Sequence, residues 1–360
     1  MNKAYLPEPP NRQASVLVDA QTDIKITIKD GVLSGSPSYT IKAKIREIID
    51  KALQLINSAT LRENARISLM QFAERAYMTL RNVLPNPTMS LAVYLLAKSI
   101  NERRLTGKLT REAEYYIPSS HAERQAVRTL SNGGYFHTTA KGIPLQEFQK
   151  TYIDRVSKAL SDIASQNALD ADDLTRRNSL RNFAEMQVRY ERHLEEIQKL
   201  KNDGVKLVVC SVHADCSDRC KEWQGRVYSL DGTYGITEDG REYVPLEVAT
   251  DVYYTTKKGK RYKNGLLGFN CRHRLLPYKV GMLIPTVSEE ERKREDAITK
   301  RQRELERTVI RWREEALMQK GVNAVEYKKA RVNAINANKR YQEYSKTNGR
   351  AYYPDRVKIL

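Results

Sequence analysis

All four cysteines of this 360-residue chain fall between residues 210 and 271, and two of its five histidines, His213 and His273, fall in the same segment. A chain that gathers every thiol it owns into one short stretch, together with imidazoles, is built around that stretch. Reduced thiols beside histidine read as metal ligands before they read as disulfide halves. HADCSDRCKEWQG (213–225) supplies His213, Cys216 and Cys220, and GFNCRH (268–273) supplies Cys271 and His273. Cys216 and Cys220 are four apart, close enough to reach one ion from a loop or a first helical turn. Cys271 and His273 are two apart, which in an extended segment puts both side chains on one face. Structural zinc is closed by four such ligands in a tetrahedron. One pair from each end would tie the intervening chain into a stapled unit, a large gain for a small module with little core. His213 is a fifth candidate, and Cys210, inside a strand, is a poor one.

Other readings of the same residues stand beside this one. The spacing is not the paired CxxC…CxxC of a zinc ribbon. Cys210 and Cys216 can equally be small core residues, with His213 and His273 making ordinary hydrogen bonds. A catalytic metal lacks a clearly placed general base: Asp215, Asp218 and Glu222 are near, but acids are common in any polar loop. A Cys271–His213 nucleophile pair lacks a legible oxyanion site and an orienting residue.

Apolar content of 40% against 29% charged suits a helix-rich chain with much surface. No apolar run is long enough to cross a bilayer, so no membrane partner is expected. The opening MNKAYLPEPPNRQ is polar and lacks the apolar core of a signal peptide. Synthesis in the cytosol and reduced thiols are therefore expected. Lys and Arg number 62 against 44 acids, a formal +18. That field attracts polyanions, nucleic acid above all. The basic residues are spread along the chain without a recognised DNA-reading motif, so proximity to double-stranded DNA without sequence reading is the expectation.

Periodicity divides the chain. Residues 1–40 read as irregular, except that Ile24, Ile26 and Ile28 alternate before Asp30-Gly31 and predict a strand and hairpin turn. From 41 to 203 the period is helical, with stripes such as Leu145, Phe148, Tyr152, Val156, Ala159 and Ile163. Residues 204–285 read as a small α+β module. VKLVVCSVH forms a buried central strand, RVYSLDG a second strand, DVYYTTKKGKRYKNG a polar hairpin and NCRHRLLPY an extended segment. Beyond Pro285 helix returns as a basic arm, 286–360, capped by Ser288 and Glu291. It forms either a helical hairpin interrupted at Gly321 or one kinked helix. The fold class is mainly α: a helical N-terminal region, a zinc-stapled α+β module and a helical C-terminal arm.

The motif residues also carry a resemblance. SVHADCSDRCKEWQGRVYSLDG followed by GFNCRHRLLPY resembles the minor capsid proteins of tailed bacteriophages that infect Gram-positive bacteria, related in turn to the head-morphogenesis proteins of Mu-like phages. The family pattern falls on Ser211, His213, Cys216, Cys220, Trp223, Gln224, Gly225, Val227, Tyr228, Ser229, Gly268, Asn270, Cys271, Arg272 and His273. Several members carry His where this chain has Cys220, an exchange that a zinc position tolerates. The resemblance spans about 177–360 and implies a low-copy, non-catalytic structural and assembly protein of the virion. It implies a place in the head interior at the portal vertex, with portal protein, capsid or scaffold proteins and packaged DNA as partners. Trp223, Gln224, Gly225, Asn270 and Arg272 are its structural motif, Arg272 as support across the metal site. The alternatives are a zinc-dependent hydrolase or nuclease acting on DNA, and a nucleic-acid-binding protein without catalysis.

Overall fold

The computed structural model describes residues 12–109, 113–133, 137–139, 141–166, 180–255, 259, 261–268 and 271–359. The fold class is as the periodicity predicts, mainly helical with one small sheet module. Helices α1 (Arg12–Leu33), α2 (Ser38–Gln54), α3 (Ala59–Arg81) and α4 (Pro87–Leu105) open the chain. Asn86 caps α4 with its side chain, accepting from the Thr88 and Met89 N–H groups, and Pro87 takes the first helical turn. A two-residue ladder, β1 (Tyr115–Tyr116) with β2 (Ile143–Pro144), brackets α5 (His121–Asn132). The stripe from Leu145 to Ile163 is buried throughout. It runs through α6 (Leu145–Phe148), a π turn (Gln149–Ile153) and α7 (Asp154–Ser165).

The N-terminal expectation is corrected. No strand or hairpin forms at Ile24–Ile28; the segment lies inside α1. Leu17, Ala20, Ile24, Ile28 and Val32 are all buried, which is the three-to-four spacing of a helix face. The β-branched alternation is incidental to that face, and tertiary burial overrides local β preference.

α8 (Leu180–Asn202) leads into the module. The module holds β3 (Leu207–Cys210), β4 (Val227–Ser229), β5 (Gly235–Ile236), β6 (Glu242–Pro245), α9 (Leu246–Thr250), β7 (Tyr253–Thr255), β8 (Arg261–Lys263) and β9 (Leu275–Pro277). One sheet runs in the order β5-β6-β4-β3-β9, with β4 and β6 parallel and the other pairs antiparallel. β3 is thus an inner strand, as its two-sided apolar pattern predicts. β7 and β8 form a separate antiparallel ribbon.

The chain closes with α10 (Glu289–Gln319), α11 (Ala324–Thr347) and α12 (Pro354–Val357). Ser288 caps α10 at the Glu291 N–H, 3.1 Å away. Gly321, at φ +80°, makes the break between α10 and α11 in a left-handed conformation that glycine alone adopts cheaply. A helical hairpin results: Leu305 and Val309 pack with Ala337, Tyr341 and Val357.

Two compact units result. One comprises 15–170 with 305–360, the other chiefly 171–304, the division falling within α10 after Glu304. In the first, α2 packs on α3, α3 on α7, α4 on α5 and α11 on α4. In the second, α8 contributes Ile197 and Leu200 to a core that also contains Val208, Tyr228, Leu246, Leu266, Leu275 and all four cysteines. Among the described residues no helix is long and apolar enough to cross a membrane.

Candidate metal centre

Turns after β3 and the segment leading into β9 bring the two motif clusters together. After β3, the Cys216 N–H donates to the His213 carbonyl at 3.1 Å, and the Cys220 N–H to the Ser217 carbonyl at 3.0 Å. These successive turns point Cys216 and Cys220 inward. Gly225 ends them at φ +70°, where a Cβ would stand 3.1 Å from Val212 and 3.3 Å from Ile284. Its N–H closes on the Cys210 carbonyl at 3.1 Å and so starts the β3–β4 ladder. On the far side, the Cys271 N–H donates to the Gly268 carbonyl at 3.1 Å, and the Ser211 N–H to the Arg274 carbonyl at 2.9 Å. Cys271 and His273 are both buried on this segment, with Cys271 Sγ and His273 Nδ1 3.2 Å apart.

The result is a compact group of soft donors. The ligand atoms of Cys220, Cys271 and His273 lie within 4.8 Å of one another. The two sulfurs are 3.9 Å apart, and His273 Nδ1 is 3.2 Å from Cys271 Sγ. A tetrahedral zinc with its usual bond lengths separates two thiolates by about 3.8 Å, and a thiolate from an imidazole nitrogen by about 3.6 Å. The Cys220–Cys271 and Cys271–His273 separations are within a few tenths of an ångström of those edges, and the donor set suits a borderline-soft ion. All three residues are at most 5% exposed, which is the setting of a closed, structural site.

The thiols respond to this crowding. Hydrogen bonds from Cys216, then from Cys271, hold the Cys220 thiol far below its ordinary range, against the opposing effect of burial. Cys216 and Cys271 are driven up, first by their hydrogen bonds with Cys220 and then by burial. A divalent cation would displace the thiol protons.

His273 is oriented from behind. Its Nε2–H donates to Gln224 Oε1 at 3.0 Å, which leaves Nδ1 as the lone pair facing Cys271. The same Gln224 oxygen accepts the His213 N–H at 2.9 Å. Orientation of a ligand imidazole by a hydrogen-bond acceptor on its other nitrogen is the common outer-sphere arrangement of metal sites.

The remaining motif residues take definite places. Cys216 abuts Cys220 and directs its thiol to the Ser217 carbonyl at 3.3 Å. It is not one of the compact group of three. His213 stands edge-on to His273, ring centroids 4.6 Å apart, with Nε2 bonded to Ser211 Oγ at 2.8 Å. Burial first, then the nearby His273 and Arg272, push the His213 imidazole down to about 4. Cys210 belongs to the core and directs its thiol to the Ser211 carbonyl. Arg272 pairs with the fully buried Asp215 carboxylate at 2.6 Å, holding the first motif loop to the second. Trp223 packs against the module core and accepts the Tyr228 hydroxyl on its carbonyl at 2.6 Å. Asn270 lies outside the described residues.

Three contributors escape the motif reading. His193 of α8 is buried and meets the Cys271 carbonyl at 3.4 Å. Its signal is positional, since Met186, Tyr190, His193, Ile197 and Leu200 follow one helical seam. Arg292 of α10 donates to the Cys216 carbonyl at 3.0 Å and pairs with Glu289 and Asp218. Thr299 donates to Asp215 at 2.9 Å. Neither carries a sequence pattern that separates it from a solvated helix face.

The family model described as phage minor capsid protein 2 matches residues 155–344, just over half of the chain and all of the module. No curated protein and no solved structure matches.

Proposed function

Because the chain belongs to the phage minor capsid protein 2 family, we propose that it is a structural and assembly component of the phage head, placed in the virion near the portal vertex and the packaged DNA. The family match carries this reading. The buried Cys220–Cys271–His273 cluster supports its structural character, because soft donors so enclosed can hold a fold together. In this reading the ion is zinc, held by those three residues and by Cys216, which already touches Cys220. Zinc would fasten the turn after β3 to the segment before β9 and supply no reaction chemistry. The positive charge then serves to keep the protein beside DNA, and portal, capsid or scaffold proteins are its protein neighbours.

Fractionation of purified particles tests the assignment. The chain should copurify with heads in sub-stoichiometric amount relative to the major capsid protein and remain after a high-salt wash. Particles lacking it, from a lysate in which it is abundant, would overturn a place in the virion.

A further inference from the structure

We propose that the outer face of α11 is a docking seam for an acidic, amphipathic helix of a neighbouring head protein. The proposal rests on the assembly role proposed above and names the surface through which the chain is held.

Helix α11 carries two apolar faces where its own hairpin needs one. Ala330, Ala334, Ala337 and Tyr341 are buried, the last two against Leu305 and Val309 of α10. On the opposite side Val325, Val332 and Ile335 stand in solvent, Val332 at 56% and Ile335 at 63% exposure. Single exposed apolar residues are ordinary on any protein. These three are not scattered. With Lys328, Lys339, Gln342 and Lys346 they follow a 3-4-3-4-3-4 spacing, and all seven positions are exposed. That is the a/d spacing of a coiled-coil seam held for three heptads, about 32 Å of helix. Val and Ile are also weaker helix formers than Lys, Gln or Glu. A face meant only for water gains nothing from Val332 and Ile335 at its middle.

Charge decides the occupant. α11 has six basic residues and two acids, Glu326 and Glu343. Both acids are already engaged, Glu326 by Lys329 at 3.1 Å and Glu343 by Lys339 at 4.0 Å. Among the described residues no carboxylate pairs with Lys328, Arg331 or Lys346. Arg331 borders the seam, over the Tyr327 ring at 5.7 Å from its centroid. The seam is therefore apolar at its middle and basic towards both ends. A second copy of α11 sets lysine against lysine: each on its own counterpart when parallel, Lys328 on Lys339 when antiparallel with Val332 on Ile335. A DNA backbone answers the lysines and gives Val332 and Ile335 nothing apolar to bury against. A helix with apolar residues opposite Val332 and Ile335 and with Asp or Glu opposite the lysines answers both. Such matching of charge also rejects wrong partners.

The test places the photo-cross-linking residue p-benzoylphenylalanine at position 335 of the full chain and irradiates purified heads. The control carries the same residue in place of Leu55, which follows α2 and is 56% exposed. The probe at 335 should join one head protein. Sequencing of the joined peptide should show apolar residues at 3-4 spacing flanked by Asp or Glu, and the control should not join that peptide. Val332→Ser/Ile335→Ser and Lys328→Glu/Lys346→Glu should each lower the amount of chain in heads by about tenfold, while unfolding in urea as wild type does. Heads that contain the chain but give no adduct at 335 would overturn the seam and leave the place in the virion intact. An adduct to DNA, to a second copy or to a peptide without acids would do the same, as would undiminished incorporation of both variants. Wild-type chain missing from heads would overturn both readings.

Discussion

At the scale of single residues, the centre depends on Gln224 nearly as much as on the cysteines. Its carboxamide oxygen receives both His273 Nε2 and the His213 backbone, so one acceptor fixes the tautomer of a ligand and the path of the loop that carries Cys216. Gln224→Ala should weaken metal binding by ten- to a hundredfold. Gln224→Glu, which keeps an acceptor in place, should recover most of that loss. Competition of each variant with a chelating dye would measure it. Cys220→Ser and Cys271→Ser should abolish the binding of about one zinc per chain, read by elemental analysis of protein purified without chelator. Equal affinity in Gln224→Ala and wild type would mean that His273 is oriented by packing alone. The sequence discloses the donors here, because sulfur and imidazole in so short a span have few other uses. It does not disclose the order of contact. That Cys220 and not Cys216 sits at the hub depends on which of two successive turns faces the sheet.

Among whole elements, α1 shows where local pattern misleads. Ile24, Ile26 and Ile28 alternate as a strand does, yet the burial that decides the matter runs from Leu17 to Val32 at helical spacing. The longer window was informative and the shorter one was not. The same helix carries a charge into the core. Lys25 donates to the Ala164 carbonyl at 2.7 Å and to Glu314 of α10 at 3.0 Å. Burial lowers the lysine and raises the glutamate, and their mutual attraction opposes both shifts. Such a pair fixes which residue of α10 faces α1 more than it adds stability. Lys25→Ala should therefore cost about 3–5 kcal/mol in urea unfolding by leaving the Glu314 carboxyl buried without its partner. Lys25→Met/Glu314→Leu should recover most of it. A double variant as unstable as the single one would show that the pair stabilises the helices outright. No reading of periodicity finds this pair, because its partners stand far apart in sequence and each looks like a surface residue of its own helix.

For the molecule as a whole, the division into two compact units would give a metal bound at the cysteine cluster a bounded sphere of influence. The unit of 171–304 holds all four cysteines in its core, while the unit of 15–170 with 305–360 closes on stripes of Ile, Leu and Ala that need no ion. Blocks with separate cores open separately. The two tryptophans report one each: Trp223 packs on the cysteine-bearing core and Trp312 on the α10–α11 hairpin. In a Trp312→Phe variant, emission follows the unit of 171–304 alone, and in Trp223→Phe it follows the unit of 15–170 with 305–360. Chelator added to zinc-loaded protein should lower the unfolding temperature seen by Trp223 by ten degrees or more, as removal of several kcal/mol of stability from a domain of this size requires. The temperature seen by Trp312 should hold within two degrees. Equal displacement of both signals would mean that the ion stabilises the chain as one block, and a staple confined to the module would be wrong.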